Sequence, residues 1–313
     1  MRLPLALLLA SAFALQANPV MRGADPHAAV FGKAYWIYPT EPGGPTKFAA
    51  YMSKDLQTWE RMGVVLDFKD VKWIKDDGKK NHWAWAPCIA TKDGKGYFYY
   101  SVGPQQGPDG PARIGVAVGD KPDGVFIDSG KPLITGGNGF EAIDPMVFID
   151  KDGTAYIYAG GSAGSKLRVW KLKPNMIELD EEIEVGNPPK FTEAPFMHER
   201  NGIYYLSYSH GRYNNHTYSV HYCTAPSPTG PWKYHGPILV SDATHQGPGH
   251  HAFIQNPQTR EWFIIYHRWE STKPNGPHPG PRQIAIERIE YKPDGTIKPI
   301  KMTDRNPPRS IIR

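Results

Sequence analysis

At 313 residues, with 40% hydrophobic and 12% aromatic content, the chain is long enough for a substantial core, which excludes disorder as its main state. Its 36 basic and 31 acidic residues leave a net charge of +5, interspersed rather than gathered into a stripe, and no nucleic acid is expected as a partner. Two cysteines, Cys88 and Cys223, cannot build a disulfide framework or a zinc cluster, and the sequence does not decide whether they form one bridge.

The chain opens on Met1-Arg2 and an apolar run from Leu3 to Leu15, followed by Gln16-Ala17-Asn18-Pro19. A charged start, a short apolar middle and a small-residue exit predict a signal peptide over 1–17 and a secreted or periplasmic protein. Either Ala12-Phe13-Ala14 or Leu15-Gln16-Ala17 can serve as the cleavage triplet. The run is shorter than the roughly 18 apolar residues that span a bilayer, so no membrane association is expected once it is removed. Residues 18–313 are expected to form a single catalytic domain.

Past that segment, 32 glycines and 31 prolines punctuate the chain, and no long apolar run has helical period, which predicts an all-β fold. Five aromatic runs each follow a turn signal, with leading residues Tyr35, Tyr97, Tyr156, Tyr204 and Trp262, spaced 62, 59, 48 and 58 residues apart. Each is preceded by an apolar strand: Ala28 to Phe31, Cys88 to Ala90, Met146 to Ile149, Phe196 to His198, and Ala252 to Gln255. A strand, a polar turn and an aromatic strand make a hairpin, and five such units predict a five-bladed β-propeller. A pair of β-sandwiches also offers short strands, but not this register of repeats.

In a propeller the start of each inner strand lies beside the axis. That position reads Asp25-Pro26, Trp85-Ala86-Pro87, Asp144-Pro145, Glu193-Ala194-Pro195 and His250-His251. Any one Asp-Pro is an ordinary turn. Three carboxylates recurring at one register would instead crowd like charges into a concavity and raise at least one pKa, a pattern that marks chemistry. Two such groups can act as acid and base on a glycosidic bond while a third tunes the acid. A serine or cysteine nucleophile is not expected, since both cysteines sit in apolar strand contexts, and Gly160-Gly161 reads as the close of a strand.

Six ordered blocks resemble glycoside hydrolase family 43, a five-bladed propeller family of β-xylosidases, α-L-arabinofuranosidases and arabinanases. They are Gly23-Ala24-Asp25-Pro26-His27 with Tyr35-Trp36-Ile37-Tyr38-Pro39, Trp83-Ala84-Trp85-Ala86-Pro87, Ile143-Asp144-Pro145-Met146-Val147-Phe148 with Asp152-Gly153, Thr192-Glu193-Ala194-Pro195-Phe196, Gly249-His250-His251, and Gly280-Pro281-Arg282. The resemblance implies Asp25 as general base, Glu193 as general acid and Asp144 as the carboxylate that orients the acid and tunes it, in a single inverting step. It implies Arg282 as a sugar-binding arginine. It also implies His250 at the axis, where it binds substrate or stands beside a water-held structural calcium; the chemistry itself requires no cofactor. Trp85, Trp83, Trp36 and Tyr213 are the aromatic candidates for stacking on a sugar. The segments from Asp67 to Asn81 and from His210 to His216 are expected as rim loops. One departure is Ala194, where the family often has glycine.

The expected activity is release of terminal L-arabinofuranose or D-xylose from hemicellulose or pectin side chains, with arabinan, arabinoxylan or xylo-oligosaccharide as partner. The alternatives are an arabinanase or galactan-active relative on the same fold, or a sugar-binding propeller without turnover.

Overall fold

The computed structural model describes residues 17–103 and 111–313; the expected leader, apart from Ala17, lies outside the described residues. These residues form five antiparallel sheets, four of four strands and one of five, arranged as a five-bladed β-propeller. Blade I is Ala24–Phe31, Ala34–Thr40, Lys47–Ser53 and Glu60–Asp67, from the axis outward. Blade II is Trp83–Lys92, Lys95–Gly103, Arg113–Gly119 and Ile134–Thr135, with Ile127–Asp128 also paired to its third strand. Blade III is Met146–Ile149, Ala155–Ala159, Arg168–Leu172 and Leu179–Ile183. Blade IV is Glu193–Arg200, Ile203–His210, Ser219–Ala225 and Lys233–Leu239. Blade V is His245–Gln255, Trp262–Glu270 and Gln283–Ile289, and its outermost strand is Met21–Arg22 from the start of the chain.

Local chemistry explains the hairpins. Asp93-Gly94 and Asn201-Gly202 both turn with two consecutive left-handed residues (φ 51° and 77°; 54° and 82°), the type I′ geometry whose twist matches the flanking strands. Among the described residues the one helical element is a 3₁₀ turn, Phe68–Asp70, and no helix is long and apolar enough to cross a membrane.

Aromatic rings weld neighbouring blades together. Phe48 of blade I meets Phe98 of blade II at 5.3 Å and 69°, and Tyr38 meets the same ring at 5.7 Å and 66°. Each such edge contact adds about 0.5–1.5 kcal/mol to what burial alone contributes. The ring of blades closes twice. Met21 pairs with Ile284 and Arg22 with Gln283, and the C-terminal tail ties Ser310 to Tyr35 of blade I at 3.0 Å and to Asn256 of blade V at 2.9 Å. Cys88 and Cys223 are both buried and unbridged.

Two expectations are corrected here. Trp36 is not a sugar platform: its strand turns it into the apolar core beneath blades I and II, 7% exposed, edge-on to Phe31 at 6.4 Å. The segment from Asp67 to Asn81 is not a rim loop of the pit either. Val71, Trp73 and Ile74 are buried in that same core, and Trp73 stacks on Tyr100 at 6.3 Å, so the segment fills the outer seam between blades I and II.

Every inner strand kinks as it leaves the axis. Asp25, Ala86, Asp144, Ala194 and His250, one per blade, all adopt left-handed backbone, with φ of 48°, 42°, 58°, 58° and 39°. In four blades a polar side chain within the last four residues of the preceding blade's second strand catches the amide of the kinked residue. Thr40 Oγ1 accepts from Ala86 at 2.8 Å, Ser101 Oγ from Asp144 at 2.9 Å, Ser209 Oγ from His250 at 2.8 Å, and His267 Nδ1 from Asp25 at 3.0 Å. These bonds satisfy buried donors that the kink removes from the ladder. Before blade IV the chain reads Gly160-Gly161, with no side chain to offer, and the Ala194 amide bonds the Asp144 carboxylate instead.

The kink also corrects the register of the site. Ala86 and Ala194, not Trp85 and Glu193, are the counterparts of Asp25, Asp144 and His250. Trp85 and Glu193 stand one residue earlier, so the three carboxylates share a ring but not one equivalent position.

Candidate active site

At one end of the axis a cavity of about 320 Å³ is lined by Asp25, Trp85, Glu141, Ile143, Asp144, Ser162, Glu193, Tyr213, His250 and Arg282. Seven of these were expected from sequence, and the fold brings Asp25, Asp144, Glu193, Trp85, Tyr213, His250 and Arg282 together from all five blades and the loops between them. Glu141, Ile143 and Ser162 were not.

Asp25 is 7% exposed, and its Oδ1 lies 2.8 Å from Arg282 Nη1, 3.3 Å from His267 Nδ1 and 3.4 Å from His250 Nδ1. Burial works to raise its pKa, but the Arg282 guanidinium, then His250 and His267, outweigh burial and hold it well below the ordinary carboxylate range. Asp25 is therefore an ionised acceptor at neutral pH. The imidazoles themselves are neutral there, since burial pushes His250 down to about 4 and His267 to about 3.

Glu193 is the opposite case. Burial pushes it up to about 7, helped by repulsion from Asp25 and Glu141, while a 2.6 Å hydrogen bond from Tyr218 Oη to Oε1 pulls the other way. Asp144 is raised well above its usual value by burial and then by Glu193, Asp25 and Glu141, with the Ala194 amide opposing. Two adjacent buried acids that both resist ionisation retain a proton between them at neutral pH. His250 Nδ1 lies 3.6 Å from Asp144 Oδ2 and 3.4 Å from Asp25 Oδ1, so one neutral imidazole sits between the low and the high carboxylate.

Tyr218 reaches Glu193 because Gly249 makes room: a Cβ there would lie 2.1 Å from Tyr218 Cε1. Its ring also stacks on His267 at 5.7 Å and 6°. Outside the pit a second cavity of about 380 Å³ shares Trp85, Tyr213 and Arg282 with the first and adds Trp83, Trp269, Glu41 and the 42–45 loop. Trp83 and Trp85 lie parallel there, 6.2 Å apart at 11°, and Arg282 sits 5.2 Å over the Tyr213 ring. Flat faces beside a carboxylate-lined pit suit the C–H face of a sugar.

The sequence profile described as "Glycosyl hydrolases family 43" matches residues 16–297. The chain belongs to glycosyl hydrolase family 43. As a family 43 protein it is a glycoside hydrolase. It is similar to the Aspergillus niger protein named "Beta-D-galactofuranosidase xynD", 34% identical over 91% of this chain and 85% of that one. It is also similar to "Xylosidase/arabinosidase 43A" of Humicola insolens, 32% identical over 88% of this chain and 95% of that protein. Among solved structures, a thermostable family 43 glycoside hydrolase superposes with a TM-score of 0.78 at 28% identity, covering 94% of this chain and 99% of that one.

Several residues of the family 43 pit lie beyond what the sequence pattern signals. His267 is the exception, because Thr40, Ser101, Ser209 and His267 are all polar residues within the last four positions of an aromatic strand, a repeat that could have pointed to it. Tyr218 and Glu141 carry no such mark. Residues 160–164 spell Gly-x-Ser-x-Gly, the spacing of a serine-nucleophile elbow. The elbow needs a strand, a sharp turn and a helix. Here the next element is the strand Arg168–Leu172, so Ser162 is a wall residue of the pit.

Proposed function

We propose that this glycoside hydrolase, acting outside the cytoplasm, releases terminal L-arabinofuranose or D-xylose from hemicellulose or pectin side chains in one inverting step. The observation that carries the mechanism is the split between Asp25, held ionised, and Glu193, held protonated up to about 7, on the walls of one cavity. A glycosidase needs such a pair: a base that takes a proton from water and an acid that gives one to the leaving oxygen. The pentose assignment is supported by relatives whose names include "Xylosidase/arabinosidase" and "Arabinoxylan arabinofuranohydrolase".

In this reading Asp25 accepts a proton from the water that attacks the anomeric carbon. Glu193 protonates the leaving oxygen as the bond breaks, and Tyr218 stabilises the carboxylate that remains through its hydrogen bond to Oε1. Asp144 positions and tunes Glu193 and does not itself exchange a proton with substrate. Arg282 anchors Asp25 and offers its remaining N–H groups to sugar hydroxyls. Trp85, with Trp83 behind it, gives the flat wall.

The axial calcium belongs to the proposal in a structural role only. His251 Nδ1 and His267 Nε2 are buried without partners, which suits ordered water near the axis, and a hard cation takes oxygen ligands. Such an ion would be held through water beside His250, and no step of the reaction passes through it.

The test is a panel of chromogenic pentosides and hexosides, together with arabinan, arabinoxylan and xylo-oligosaccharides. Turnover of an arabinofuranoside or xyloside by the wild type, lost in Asp25→Ala and Glu193→Ala, supports the reading; no hydrolysis of any of them sinks it. Proton NMR of the first-formed sugar should show the inverted anomer, and a retained anomer would overturn the single step.

A further inference from the structure

The pit holds a fourth carboxylate that this mechanism leaves unused. Glu141 lines the same cavity as Asp25, Asp144 and Glu193, and it is 7% exposed. Arg282 is engaged by Asp25, and among the described residues Glu141 has no ion-pair partner. Its head is nonetheless held in place, with Oε2 accepting the Ala163 amide at 2.8 Å. The loop after the second strand of blade III is shaped around it. A Cβ on Gly161 would lie 2.4 Å from Glu141 Oε2 and 2.6 Å from Ile143 Cγ1, so the glycine pair that closes the strand also makes space for this carboxylate.

A buried carboxylate without a cation is costly. Here the cost is compounded, because its charge repels the ionised forms of Asp144 and Glu193. Holding one backbone amide does not call for a charge, since the carbonyl of a glutamine would accept the same bond. What a charged, acceptor-only group in a sugar-sized pit does better than a neutral one is bind hydroxyls, and its two oxygens match a pair of neighbouring donors.

Building on the proposed hydrolase reading, we infer that Glu141 is a specificity-determining residue that accepts hydrogen bonds from a vicinal diol of the bound glycosyl residue. Two sources present that chemistry. One is a diol on the ring of a pentose. The other is the exocyclic diol of a hexofuranose, the sugar type in the name of the Aspergillus niger relative.

Wild type, Glu141→Gln and Glu141→Ala are compared on 4-nitrophenyl α-L-arabinofuranoside, β-D-xylopyranoside and β-D-galactofuranoside, and on monodeoxy analogues of whichever is turned over fastest. In wild type, deleting a hydroxyl of the recognised diol should lower kcat/KM about 10- to 100-fold, the worth of a hydrogen bond to a charged group. In Glu141→Ala the same deletion should cost little more. Sensitivity to the ring hydroxyls of a pentoside identifies the pentose source, and sensitivity confined to the exocyclic pair of the galactofuranoside identifies the hexofuranose. Glu141→Gln keeps the acceptor for Ala163 and controls for collapse of the loop, which is checked by its melting temperature.

If wild type and Glu141→Ala lose the same factor on every deoxy substrate, the inference fails while the hydrolase stands. If wild type turns over none of the glycosides, the hydrolase reading fails, and calorimetric titration with L-arabinose, D-xylose and D-galactose still decides this one. Weaker sugar binding by Glu141→Ala supports it, and equal or undetectable binding by both proteins overturns it.

Discussion

The two walls of the pit carry the same kind of side chain in opposite electrostatic settings. On the wall from blades I and V, Asp25 faces the Arg282 guanidinium at 2.8 Å and two imidazoles, and its charge is stabilised. On the wall from blades III and IV, Asp144 and Glu193 meet each other and Glu141, and their charges are opposed. The difference does not come from the backbone, because Asp25 and Asp144 occupy equivalent kinks with φ of 48° and 58°. It comes chiefly from one arginine, delivered by the loop ahead of the last strand. A repeating fold thus supplies matched carboxylates, and a single non-repeated cation makes them unlike.

The largest expected effect follows from removing either member of the unlike pair. Asp25→Asn and Glu193→Gln should each lower kcat by about 10²- to 10⁴-fold with the fold retained. Steady-state kinetics on a pentoside checks this, and losses below tenfold in both would break the contrast between the walls.

Arg282→Met should come next, with kcat/KM down by about 10- to 100-fold, since it removes both a charge-assisted bond to Asp25 and a sugar contact. Because Arg282 holds the Asp25 pKa down, the acidic limb of the pH–rate profile should move to higher pH in the variant. Stability should follow the same logic. A depressed Asp25 stabilises the fold above its unfolded pKa of about 3.9, and that contribution is lost as pH falls through the folded value. Glu193 has the reverse sign. Raised to about 7, it keeps a proton that the unfolded chain releases above about 4.3, so its contribution declines as pH rises across that window. Denaturant midpoints at a series of pH values would separate the two walls, and a methionine variant with an unmoved acidic limb would show that Arg282 does not set Asp25.

Much of this architecture is legible in the sequence, because a propeller repeats. Five aromatic strands behind five apolar ones mark the blades, and Asp-Pro or Ala-Pro at their starts marks the axis. The one-residue offset of Trp85 and Glu193 is not legible, since left-handed backbone at Ala86 and Ala194 leaves no trace in residue type. Trp36 misleads because strand alternation says which residues share a face but not whether that face meets the axis or a neighbouring blade. Glu141 and Tyr218 escape because each lies outside the inner strands, on loop and outer-strand segments whose approach to the pit depends on room left at Gly161 and Gly249.

A subtler change would sharpen the acid side of the comparison. The Tyr218 hydrogen bond lowers the Glu193 pKa against the upward pressure of burial. In wild type the basic limb of kcat/KM should fall near pH 7 as Glu193 loses its proton. Tyr218→Phe removes the opposing bond, so the limb should move to higher pH. The maximal rate should drop by about 3- to 10-fold, the worth of about 1 kcal/mol of hydrogen bonding gained as charge develops on Glu193. A limb that stays in place or moves down would mean that Tyr218 does not bond the ionised form.

The smallest effect tests whether the shared kink or the unequal charges define the site. Ala194 sits at φ 58°, where an L-residue costs about 1–2 kcal/mol, yet its amide is what the Asp144 carboxylate receives. Ala194→Gly relieves that strain and gives back about 0.5–1 kcal/mol in chain entropy, so the net gain should be about 1 kcal/mol or less. For a chain of this size that is a rise in melting temperature of about 2–4 °C at most. Activity and its pH profile should be unchanged, because glycine presents the same N–H to Asp144. Asp144→Gly makes the converse cut, keeping a kink-tolerant residue while deleting the carboxylate, and it should leave the fold intact but lower the Glu193 basic limb by removing a neighbour that shares its proton. If the two glycine variants behaved alike in the pH profile, the backbone kink rather than the charge it carries would be what distinguishes the walls.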